Sequence, residues 1–134
     1  KFKTELVPVI FIENEFLRNF IVVNIKEFKK FGYNFLLLDT YSKDVGNIFE
    51  ICSEDYLKIL LNQSLLYKLS IGLAGKLSLS NISQLAVLQP KIVGFRSAVC
   101  VDENRKKELS VSKLKKLYYS ITSAKRPAMH AAGA

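Results

Sequence analysis

The sequence predicts an α/β protein made of four successive βα units, and three observations carry that expectation. Four apolar runs of seven to nine residues recur at intervals of roughly 25 to 35 residues. Each is followed by a stretch with helical periodicity. The runs are continuously apolar rather than alternating, the pattern of parallel strands buried on both faces. A chain of 134 residues has the length of one domain. With 49% hydrophobic and 24% charged residues it can bury a core, which excludes a disordered chain.

The first run covers Val7 to Glu13, and a helical stretch follows from Glu15 to Phe31. Gly32 stands where a helix C-terminus favours glycine. The second run, Tyr33 to Thr40, leads through a loop containing Lys43 and Gly46 to a helix over Ser53 to Lys68. Ser53 offers a capping hydroxyl, and Glu54 and Asp55 suit the positive end of a helix. The third run is Leu69 to Gly75, with a helix from Ser80 to Leu88 that Pro90 stops. The fourth is Lys91 to Val99, with a last helix from Val111 to Ile121. From Ser123 the residues SAKRPAMHAAGA depart in composition and hold the only His and the only Met. Residues 1–122 are therefore expected as the folded unit and 123–134 as a tag-like or disordered tail.

Composition narrows the function. A net charge of +8 attracts nucleic acid, anionic membranes or phosphorylated small molecules. The nine Phe and six Tyr mostly fall at core spacings and offer no platform for stacked bases, so no nucleic acid is expected. No apolar run reaches the roughly 18 residues of a membrane span, and none of the features of a secretory signal is expected in Lys1-Phe2-Lys3-Thr4-Glu5. Two cysteines, Cys52 and Cys100, suit a reducing cytosol, and a cytoplasmic protein is expected. One His and two distant Cys cannot assemble a zinc site, so no metal or other cofactor is expected. Cys100, with no base nearby, reads as a packing residue. Arg105 to Lys107, with Lys113, Lys115 and Lys116, read as solvated surface.

Two architectures accept such a chain: a small doubly wound sheet, or half of a (βα)8 barrel whose edges need a second half. In both, ligands bind beyond the carboxyl ends of the strands. Those ends carry Glu13, then Asp39, Thr40 and Lys43, then Gly72, Gly75 and Lys76, then Arg96 and Ser97. An Asp39–Lys43 ion pair would hold the amine and tune it as an acid, a base or a phosphate ligand. Alternatively, Asp39 caps the following turn and Lys43 is solvated. Gly75 and Gly94 let backbone N–H groups approach a ligand, while Lys76, Arg96 and Ser97 add charge and donors, together a candidate phosphate site. Alternatively, both glycines serve close packing and Arg96 pairs with Asp102 or Glu103.

Three motifs go further. Leu38-Asp39-Thr40-Tyr41-Ser42-Lys43-Asp44, Leu73-Ala74-Gly75-Lys76-Leu77 and Gly94-Phe95-Arg96-Ser97-Ala98-Val99-Cys100, with Arg105 following, stand in order across residues 7–121. Together they resemble the C-terminal half of the (5-formylfuran-3-yl)methyl phosphate synthases of methanofuran biosynthesis. The family's patterns are LDT followed by KDG, then LAGSL, then G-x-RGA-x-C and a basic residue.

The resemblance implies the C-terminal half of a (βα)8 TIM-type barrel and a lyase that condenses two glyceraldehyde 3-phosphate molecules through a Schiff base. It implies that Asp39 and Lys43 are catalytic, and that Gly75, Lys76, Gly94, Arg96 and Ser97 bind phosphate. The imine lysine belongs to the N-terminal half, so an N-terminal half-barrel or companion subunit is the expected partner, in an oligomer. The chain departs from the family at Val45 (glycine), Lys76 (serine), Ser97 (glycine) and Phe11-Ile12-Glu13 (Tyr-Ala-Asp).

Overall fold

The computed structural model describes residues 3–42 and 44–124. Four strands, β1 (Val9–Phe11), β2 (Phe35–Asp39), β3 (Ser70–Leu73) and β4 (Ile92–Val93), form one parallel sheet in the order β1-β2-β3-β4. The order is sequential. A doubly wound sheet reverses its strand order at a switch point, and this sheet does not.

The helices are α1 (Glu15–Lys30), α2 (Ile48–Ile51), α3 (Glu54–Leu66), α4 (Ile82–Leu88) and α5 (Val111–Ser123). Local chemistry sets their ends. The Asn14 side chain accepts the Leu17 N–H at 3.2 Å to start α1, and Gly32 at φ +94° lets the chain leave it. Ser53 caps α3 by accepting the Tyr56 N–H at 3.1 Å. The short α2 lies in the expected loop, and a capping box builds it. Asn47 accepts the Phe49 and Glu50 N–H groups, while the Glu50 carboxylate accepts the Asn47 N–H.

Leu36 and Leu38 of β2 and Ile71 and Leu73 of β3 are buried with Ile21 and Ile25 of α1, Leu57 and Leu60 of α3, and Leu85 of α4. Side chains alternate across a strand, so Leu37 and Asp39 lie on the other face. There the register places Val9, Leu37, Gly72 and Ile92 in one row. Val9, Phe11 and Ile92 are exposed. Apolar runs predict strands covered on both faces, yet the helix core covers one. Apolarity registers a demand for burial without saying what meets it.

Two further expectations change. The fourth run is a strand only at Ile92 and Val93, and Ser97–Val99 form a 3-10 turn. The backbone leaves the extended path at Arg96, with φ −130° and ψ −73°. The last helix continues through Ser123, while residues 125–134 lie outside the described residues. No described helix is long and apolar enough to cross a membrane.

Candidate functional site

A cleft of about 540 Å³ opens at the carboxyl ends of the strands. Asp39 to Ser42 after β2, Ala74 to Lys76 after β3 and Gly94 to Ser97 after β4 form its walls, and Glu103 to Arg105 complete the rim. Six residues singled out in the sequence thus line one space: Asp39, Gly75, Lys76, Gly94, Arg96 and Ser97. Lys43 lies outside the described residues.

Asp39 ends β2 on the helix-free face. Its Oδ1 accepts the N–H of the next residue, Thr40, at 2.7 Å, which holds the carboxylate against the start of the β2 loop. Gly75 adopts φ +103°, and a Cβ there would come within 2.7 Å of Thr40 Cγ2. Only glycine permits that approach of the β3 loop to the β2 loop. Gly94 packs closely as well, since a Cβ on it would meet Ala74 Cβ at 3.1 Å.

Lys76 lines the cleft at φ +50°, with its Nζ donating to the Val45 carbonyl at 2.8 Å. Arg96 was open to pairing with Asp102 or Glu103. Asp102 instead pairs with Lys107, and no ion pair among the described residues joins Arg96 to either acid. Arg105, read as solvated surface, is exposed but stands at the rim. The signal for it was the basic residue that follows Cys100 in the family pattern. Tyr41, Ser42, Glu103 and Asn104 carried no comparable signal.

Glu13, two residues past the end of β1, does not line the cleft but holds the β2 loop that does. Its carboxylate accepts the Tyr41 N–H at 2.8 and 3.0 Å and the Ser42 N–H at 2.8 Å. Burial pushes this carboxyl up, but the N–H groups of Ser42 and Tyr41 favour the anion and hold it below the usual value of 4.5. The cysteines take no part. Burial raises the Cys52 thiol against the opposing Arg18 charge, and the Cys100 thiol donates to the Arg96 carbonyl at 3.2 Å.

Two guanidinium groups and the Lys76 amine, set against the Asp39 and Glu103 carboxyls, with hydroxyls and glycine-bearing loops between them, make a space suited to a small molecule that carries an anionic group. The class is therefore an α/β protein with a ligand-sized cleft at the carboxyl ends of a parallel sheet. Residues 1–118 match the family model of 4-HFC-P synthase, and the chain belongs to that family. This is the family that its three motifs resemble. None of the curated proteins matches the chain.

Proposed function

We propose that the chain is the C-terminal half of a phosphate-binding (βα)8 barrel of this family. It acts with an N-terminal half that supplies the imine lysine, and the whole condenses two glyceraldehyde 3-phosphate molecules to (5-formylfuran-3-yl)methyl phosphate. The observation that carries the reading is the convergence of Asp39, Gly75, Lys76, Gly94, Arg96 and Ser97, from three strand ends, on one cleft. Lys43 moves protons during aldol addition and dehydration, with Asp39 orienting it. Arg96 and the Gly75 and Gly94 loops receive phosphate.

The half-barrel reading draws support from unfilled surfaces. Both sheet edges are unpaired among the described strands, as a four-strand segment of a barrel requires. Phe16, Phe20 and Val23 of α1 are exposed, as are Val111, Leu114 and Tyr118 of α5. Helices of neighbouring βα units would cover such stripes.

Steady-state kinetics on the completed barrel test the roles. Lys43→Ala and Asp39→Asn each lower kcat by about 10²-fold, the scale of losing a positioned acid–base group. Arg96→Ala raises KM more than it lowers kcat. Wild-type kcat in Lys43→Ala overturns the catalytic assignment.

One observation favours a second reading, a non-catalytic half-barrel that binds a phosphorylated ligand or partner. Two positions where the chain departs from the family, Val45 and Lys76, are joined by the 2.8 Å hydrogen bond. That bond holds the amine against backbone.

A further inference from the structure

We propose that Glu13 is a positioning residue that fixes the β2 loop of the cleft. The inference rests on reading that cleft as the active site. Strand β1 contributes no lining residue to the cleft, yet its end and the residues just after it hold the neighbouring strand's loop through two contacts. The Glu13 carboxylate accepts two consecutive backbone N–H groups, those of Tyr41 and Ser42. The Phe11 ring meets the Tyr41 ring edge to face, with centroids 5.4 Å apart.

The clamp is itself anchored. Arg18 Nη1 donates to the carbonyls of Ile12 at 2.6 Å and Glu13 at 3.1 Å. Ile12 N–H donates to the Asp39 carbonyl at 3.1 Å, so the two strand ends are tied immediately before the loop begins. Between the tie at Asp39 and the clamp at Tyr41 lies only Thr40. A loop backbone left alone at this point would expose two N–H groups to water and sample many conformations. One carboxylate removes that freedom. Oε1 takes both N–H groups at 2.8 Å while Oε2 adds a longer contact of 3.0 Å to the Tyr41 N–H, so an uncharged oxygen at Oε1 keeps the two shorter bonds and loses only the third.

Two measurements test the proposal. In the full wild-type chain, NMR follows the amide protons of Tyr41 and Ser42 as pH falls. Both resonances move together with a midpoint below 4.5, the signature of N–H groups bonded to one titrating carboxylate. Two resonances that fail to titrate overturn the clamp without any variant having to fold.

The second measurement is kinetic, on the completed enzyme. Glu13→Ala lowers kcat about tenfold with KM within about twofold, because the loop and not the phosphate site is loosened. Glu13→Gln restores most of kcat, since its carbonyl oxygen replaces Oε1. Equal kcat in wild type and Glu13→Ala, or equal loss in Glu13→Gln and Glu13→Ala, overturns positioning by this oxygen. If wild type itself shows no turnover, the catalytic reading fails, and the amide titration still decides the clamp.

Discussion

Leu36 and Leu38 on one side of β2 are exposed by 1% and 0%, whereas Val9, Phe11 and Ile92 on the other side of the sheet are exposed by 44%, 37% and 46%. The residue types are alike and all belong to one sheet, Leu36 and Leu38 on the inner strand β2 and the other three on the edge strands β1 and β4. The difference lies in what stands opposite. One face meets the apolar stripes of α1, α3 and α4, which follow in the same chain. The other carries the row from Val9 to Ile92 and, at its carboxyl end, Asp39 of the cleft. The helix-packed core and the cleft-lining Leu37 and Asp39 thus fall on opposite sides of a single sheet, by the two-residue repeat of a strand.

Substitutions on the two faces sharpen that contrast. Leu38→Ala removes a fully buried side chain from the helix-covered face and destabilises the chain by about 2–5 kcal/mol in urea unfolding. A loss below 1 kcal/mol would show that this face is not the core. Gly72→Val, in the row on the other face, has a smaller effect of about 1–3 kcal/mol. Its new Cβ would stand 3.1 Å from Leu37 Cδ1 and 3.2 Å from Ile92 Cβ, so the neighbours must shift. An unchanged denaturation midpoint would mean that the row is looser than its register implies.

Ile92→Thr on the same row is the mildest, within about 0.5 kcal/mol for the isolated chain. A loss approaching that of Leu38→Ala would break the comparison, since it would mean that the second face is covered too. The pH dependence of the Glu13 clamp has a definite sign. Its carboxyl is lowered in the folded chain, so the stabilisation is present above the ordinary value of 4.5 and is lost as pH falls through the lowered one.

Much of this organisation was legible from residue order. Gly32, Ser53 and Pro90 mark helix boundaries because their backbone and capping preferences are local. The cleft residues Asp39, Gly75, Gly94 and Arg96 were also accessible, because strand ends can be counted and parallel strands present their carboxyl ends together. The helix α2 was missed although Asn47 and Glu50 spell its capping box, since four residues show no periodicity. The fourth strand was read too long because Phe95, Ala98 and Val99 are as apolar as strand residues. Phe95 lies instead in irregular backbone, and Ala98 and Val99 in the 3-10 turn that follows Arg96 at the cleft.

By itself, the sequence determined the four βα units, the helix caps and the family motifs, all of which depend on neighbours a few residues away. Tertiary structure alone decided the sequential strand order, the single covered face and the partners of the polar groups. Glu13 meets Tyr41 and Ser42 across 28 and 29 residues, and Lys76 meets Val45 across 31. Hydrogen bonds at such separations depend on where the strands place two distant segments, and no local preference encodes that distance.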